Sequence, residues 1–204
     1  MKSENGRSMV EMLGVLAIIG VLSVGAIAGY SKAMMKYKLN NFSQSLSQLV
    51  QSYATLLPQL QADKTTQHNF LVLAKKLNLL PAGMKYIEYA NGHDFVSSQF
   101  GNIEFRQLNP NDRFILAINL DGSQLMEEYC RQALITMQPW GNEIATGFVM
   151  RMQGGQNDDY NGRFNGSDLA SLTITDFQKA CSKSCNEDYD SCSLHFQFYF
   201  NEQH

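Results

Sequence analysis

The chain has 204 residues, 16 basic and 19 acidic side chains and a formal charge of −3, and it is 44% hydrophobic and 17% charged. That charge is too small and too acidic for a general nucleic-acid binder, whose affinity comes from neutralising phosphates, and the apolar fraction is too high for a disordered chain. The length suits one core-bearing domain with an appendage, and 4 cysteines are too few for a fold held by disulfides alone.

From Met12 to Ser31 the chain runs without a charge, closed by Glu11 on one side and Lys32 on the other. At about 1.5 Å per residue, such a run spans a hydrocarbon core of about 30 Å. No second run of this length is both uncharged and predominantly apolar. Three readings compete. The first is a secretory signal peptide, with Lys2 as its charged start and Ala26-Ile27-Ala28 as a small-residue cleavage site before Gly29. The second is an uncleaved signal anchor. The third is a signal cut on the cytoplasmic side, before the apolar run. Glu11 bears on the choice. A carboxylate opposes insertion by roughly 2.5–3.5 kcal/mol at the centre of a spanning helix, and by less near its end. A simple export signal has no use for it, and an intramembrane acid calls for a partner.

The residues around that acid read Gly6-Arg7-Ser8-Met9-Val10-Glu11-Met12-Leu13, continued by Val15-Leu16-Ala17-Ile18-Ile19-Gly20-Val21-Leu22. This stretch resembles the processing site of type IV pilins and type II secretion pseudopilins. The resemblance covers about 30 of the 204 residues. It implies a prepilin peptidase that cuts between Gly6 and Arg7 and methylates the new amine. It implies a division into residues 1–6 as leader peptide, 7–31 as transmembrane and assembly helix, and 32–204 as periplasmic head, with the second half of the long helix in the head. Glu11 becomes the fifth residue of the mature chain and offsets the N-terminal amine of a neighbouring subunit. Opposite charges about 4 Å apart attract far more in a low-dielectric filament core than in water. An unpaired buried carboxylate is costly instead. Arg7 departs from the family, which usually has Phe there, and adds a second cation beside the amine. The implied partners are the peptidase, other copies and other pilin-like subunits in a filament, and an inner-membrane assembly machinery. The implied location is the inner membrane before assembly and a pilus or pseudopilus after it.

Glycines recur in the apolar run at Gly14, Gly20, Gly25 and Gly29, each costing roughly 1 kcal/mol against Ala in a helix interior. Close packing of membrane helices explains them; local melting on leaving the lipid is the other reading. Beyond Tyr30, Met35, Leu39, Phe42, Leu46, Leu49, Tyr53 and Leu56 make one apolar stripe, and Pro58 ends or kinks the helix. From Arg7 to about Leu57, that helix is some 75 Å long. Lys32, Lys36 and Lys38 follow the apolar run, either solvated or at lipid headgroups.

A second helix is expected over Thr66–Leu79, stopped by Leu80-Pro81-Ala82-Gly83. Alternation then predicts strands at Tyr86–Tyr89, Asn102–Arg106 and Phe114–Ile118. A helix follows over Ser123–Met137, and a strand over Phe148–Met152. Ser171–Ile174 is ambiguous. Thr175–Ser184 reads as a helix with Thr175 or Asp176 near its N-cap, and Leu194–Phe200 is the clearest strand. The fold class is α+β: a long N-terminal helix and a head built on an antiparallel sheet. A pilin-like head has the same outline.

Cys130, Cys181, Cys185 and Cys192 read as disulfides on the exported side of a membrane. Three pairings are open. Cys130 with Cys181 and Cys185 with Cys192 is preferred, because the second closes a short loop. A zinc site would need two close pairs at ligand spacing, which the sequence lacks. Asn157–Asp168 overlays the twelve-residue calcium loop, with Asn157, Asp159, Asn161 and Asp168 as candidate ligands. Its first position is Asn rather than Asp, its last is Asp rather than Glu, and a turn-rich surface loop is the competing reading. His68, His93, His195 and His204 sit in no motif with a nucleophile or paired carboxylates, and no phosphate-binding glycine loop occurs. The expectation is therefore a structural subunit rather than an enzyme. Its alternative is a membrane-anchored or secreted envelope domain, binding or adhesive, that does not polymerise.

Overall fold

The computed structural model describes residues 9–62, 69–89, 93–107, 113–121, 125–153, 156–186 and 188–199, with the backbone alone at 152–153 and 156–162. The chain divides into two compact units, Met1–Asn40 and Asn41–His204. Helix α1 (Met9–Ala62) supplies all of the described first unit and the opening of the second.

In the first unit the helix is apolar on every side. Val21 is 75% exposed and Leu22 66%, and the residues between Met9 and Ala33 are exposed throughout. A helix apolar all round belongs in a membrane or a protein core. Among the described residues, one helix is long and apolar enough to cross a membrane, and none of its most apolar window is buried within the chain.

The second unit is a sheet with helices packed against it. Its strands are β1 (Lys85–Ile87), β2 (Phe95–Ser98), β3 (Gly101–Gln107), β4 (Phe114–Asp121), β5 (Ile144–Gln153), β6 (Gln156–Asn165) and β7 (Ser191–Phe198). They lie in the order β1-β2-β3-β4-β7-β5-β6, and each neighbouring pair is antiparallel. The last strand in the chain thus sits inside the sheet and joins two hairpin-built parts. Strand β3 alternates buried and half-buried residues without a break, as expected of a sheet with one covered face.

The covered face meets the later part of α1. Phe42, Leu46, Leu49, Tyr53, Leu56 and Leu60 point into the head and are buried. The Tyr53 ring lies 4.5 Å from Phe105, 5.1 Å from Phe114 and 5.4 Å from Phe198, centroid to centroid. Helix α2 (Phe70–Lys76) adds Phe70, 5.6 Å from Tyr53. Helix α3 (Met126–Met137) adds Tyr129, 5.3 Å from Phe42. Such aromatic pairs contribute about 0.5–1.5 kcal/mol each beyond their burial. Ser43 and Thr136 also share a hydrogen bond of 2.8 Å between α1 and α3.

The expected break at Pro58 does not end α1, which continues to Ala62. Proline removes one backbone donor and crowds the turn before it, at about 3 kcal/mol or more in a helix interior. Leu56 and Leu60 remain 5% and 6% exposed on either side of it, so their packing holds the last turn in place. Helix α2 is shorter than expected, because Asn69 caps its start by accepting from the Leu71 amide at 3.0 Å. Strand β2 was not foreseen. It pairs Val96 with Ile103 through a two-residue turn that ends at Gly101. Gly101 has φ +129°, and a Cβ there would lie 2.0 Å from the Asn119 carbonyl oxygen, so glycine alone lets β3 start this close to β4.

The ambiguous stretch before the fifth helix resolves into α4 (Gly166–Ser171) and the cap of α5 (Ile174–Ser184). The N-cap is Thr173 rather than Thr175 or Asp176. Thr173 accepts from the Asp176 amide, and the Asp176 carboxylate accepts from the Thr173 amide at 2.9 Å. This is a capping box with Asp in the acidic position.

Candidate functional site

Two features carry chemistry that a packed head does not need: the open end of α1 and the cysteine-rich end of the fold. Gly6 and Arg7 lie outside the described residues. Glu11 stands in the first turn of α1 and is exposed. The unpaired N–H groups of that turn carry partial positive charge, so a carboxylate is favoured there.

Behind Glu11, none of the most apolar window of the helix is buried among the described residues. Ser23, the hydroxyl inside the run, donates to the Ile19 carbonyl at 2.7 Å and so satisfies itself within the helix. A Cβ built at Gly14, Gly20, Gly25 or Gly29 meets no heavy atom within 4 Å. Nothing inside the chain therefore requires glycine at those positions. Tyr30 near the end of the run, and Lys32, Lys36 and Tyr37 after it, are exposed. Amphipathic aromatics and lysines of this kind suit the level of lipid headgroups.

In the second unit, Cys130 bonds Cys181 with an S–S distance of 2.03 Å, and Cys185 bonds Cys192. This is the pairing preferred from the sequence. The first bridge ties α3 to α5. The second closes the loop between α5 and β7, and all four cysteines are fully buried. Arg151 on β5 braces the same loop, donating to the Tyr189 hydroxyl at 2.8 Å with its guanidinium 5.1 Å from that ring.

The candidate calcium ligands are not gathered in a loop. Asn157, Asp159 and Asn161 belong to β6, whose backbone pairs with β5, as in Asn157 with Met152 and Asn161 with Val149. Asp168 lies beyond it, exposed on α4. An extended strand followed by a helix does not wrap successive residues round one cation as the twelve-residue loop does. The backbone at 157, 159 and 161 is therefore strand and not loop. Asn and Gly favour turns locally, but pairing with β5 overrides that preference. Among the described residues, no group of three or more His, Cys, Asp or Glu side chains is placed to hold a metal.

His195 is half-buried on β7, opposite Phe148, with the two rings stacked at 4.8 Å. Burial lowers its pKa from 6.5 to about 4, so it is a neutral packing residue near neutral pH. The sequence reading missed the Tyr86–Asp94 pair. Asp94 is buried at 7% exposure, accepting from the Tyr86 hydroxyl at 2.5 Å and the Tyr89 amide at 2.8 Å. Burial, then that hydrogen bond, raises the Tyr86 pKa, and Lys75 sits 4.1 Å above its ring. The pair braces the β1–β2 hairpin; the signal for it was an Asp eight residues after a strand Tyr, which is too common to stand out.

Comparison with protein-family models, with curated proteins and with solved structures finds no match to this chain.

Proposed function

We propose that this chain is a structural subunit of a type IV pilus or of a type II secretion-like pseudopilus. In this reading a prepilin peptidase trims it after Gly6, and it assembles through the N-terminal part of α1. The observation that carries the reading is the pairing of Glu11 with the helix behind it. Among the described residues, its most apolar window is unburied, and one acid stands in its first described turn. A plain anchor needs the apolar surface but not the acid. A subunit that passes from lipid into a filament needs both: an apolar surface for either environment, and a charge that a neighbour's terminal amine neutralises only in the correct register. The four glycines support the same reading, since helices approach closely in membranes where side chains are small.

The head supports it in a general way. Two buried disulfides fit an oxidising compartment, which supports a periplasmic head. Energy for assembly comes from elsewhere, because the sequence holds no nucleotide-binding motif.

A Glu11→Ala variant tests the role of the acid. The variant is expected to insert in the membrane at wild-type level, to be cleaved, and to be missing from sheared filaments. Normal incorporation of the variant would remove the charge-pairing role.

A further inference from the structure

A cleft in the second unit gathers polar groups that the fold itself does not use. Its volume is about 290 Å³, and it lies between α1, the turn before β1 and the turn that joins β2 to β3. Asn41, Ser45, Met84, Gln99 and Phe100 supply the side chains, and no charged residue lines it.

Ser45 calls for an occupant. The residue is 7% exposed and lines the cleft, and its hydroxyl has no hydrogen-bond partner among the described residues. A hydroxyl on a helix commonly returns to the carbonyl four residues back. Ser23 and Thr55 do so on this same helix, and Ser43 bonds Thr136 instead. Ser45 does neither. A donor left unused at that depth is unfavourable unless the cleft brings it a partner. Asn41 and Gln99 add two carboxamides that are likewise without a side-chain partner among the described residues.

The surroundings are held in place before any ligand arrives. The Met84 amide donates to the Pro81 carbonyl at 3.2 Å, across a turn in which Gly83 takes φ +83°. The Ser98 hydroxyl donates to the Gly101 carbonyl at 2.9 Å across the other turn. The Phe100 ring rests on Phe42, 4.6 Å between centroids. A cleft formed in advance loses little freedom on binding.

These groups define what fits. A charged ligand would leave water without meeting a counter-charge, which is costly. A purely apolar one would leave the hydroxyl and both carboxamides unpaired. Ser, Asn and Gln each donate and accept, as the hydroxyls of a sugar do. Met84 and Phe100 offer apolar surface to the C–H face of a sugar ring. The volume lies at the lower end of ligand clefts, which run from about 300 to 1,000 Å³, so it suits one ring rather than a long chain. We infer that this cleft binds a single neutral sugar ring, whose hydroxyls bond the Ser45 hydroxyl and the Asn41 and Gln99 carboxamides. Such binding does not depend on filament assembly.

The test follows methionine methyl signals by NMR in the full chain, held in phosphatidylcholine nanodiscs, which carry no sugar. N-acetylglucosamine is expected to shift Met84 saturably and to leave buried Met137 unmoved. Glucuronate, which adds a charge, is expected to bind at least about tenfold more weakly. Ser45→Ala is expected to weaken N-acetylglucosamine about tenfold without lowering the melting temperature, and Gln99→Ala, at an exposed position, to weaken it as well. The β-1,4-linked trimer of the same sugar separates two sources: tighter binding than the single sugar assigns the cleft to the end of a glycan, and equal binding assigns it to the free sugar. A Met84 signal that stays still with N-acetylglucosamine would mean that water alone fills the cleft and would overturn the inference. Equal binding of glucuronate, or an unchanged affinity in Ser45→Ala, would overturn it too.

Discussion

Two side chains, buried Tyr53 and half-buried His195, show how single residues depart from what their type suggests. Tyr53 fills the centre of the aromatic cluster, yet its hydroxyl is buried without a hydrogen-bond partner among the described residues. Burial raises its pKa, which restates the same cost of desolvation. An unsatisfied buried hydroxyl costs about 1–3 kcal/mol, so Tyr53→Phe is expected to raise stability by about 1 kcal/mol in denaturant titration. A loss of stability would mean that the hydroxyl is satisfied. His195 gives a pH dependence of known sign. Its pKa falls from 6.5 to about 4 on folding, so the unfolded chain takes up the proton first as pH drops. Its contribution is constant above about pH 6.5, declines between there and about pH 4, and amounts to at most roughly 3 kcal/mol across that window. His195→Gln is expected to flatten melting temperature against pH in this range. An unchanged slope would assign the acid sensitivity to other groups.

Among the elements, those with strong periodicity were legible and those made by pairing were not. The stripe from Met35 to Leu56 is buried from Phe42 onward, the alternation of Asn102–Arg106 is found as expected, and the run expected over Leu194–Phe200 is found as Ser191–Phe198, with Phe200 outside the described residues. Strand β6 has no such pattern; its Asn, Asp and Gly residues favour turns locally, and only the partner strand β5 makes them extended. Of the stop or kink expected at Pro58, the stop is not found, for a related reason. Pro58 is a local signal, and the burial of Leu60 that overrides it is tertiary. Of the candidate site, Glu11 and the apolar run were legible from charge alone, as was the cysteine pairing from loop length. The two bridges differ in span, 51 residues for Cys130–Cys181 and 7 for Cys185–Cys192. Chain-entropy arguments assign about 4 kcal/mol to the first and about 2.5 kcal/mol to the second. Replacing both cysteines of the α3–α5 bridge by Ala is therefore expected to lower the melting temperature more than replacing both of the loop bridge. The reverse order would show that the loop near Arg151 and Tyr189 depends on its bridge more than the helices do.

At the scale of the whole molecule, the two units answer to different solvents. The head closes its own core, and its final strand β7 completes the sheet by pairing with both β4 and β5. In the first unit, none of the most apolar window of α1 is buried among the described residues. A helix of that kind needs lipid or other helices, and Glu11 at its start suits a place that has both in turn. The resemblance of Gly6–Leu22 to a prepilin processing site turns this into a claim about one peptide bond. The most direct test is N-terminal sequencing of the chain recovered from membranes of cells that express it with a prepilin peptidase. A mature chain that begins at Arg7 is the predicted result. A chain that begins at Gly29, with its apolar run removed, or that keeps Met1, would contradict the account.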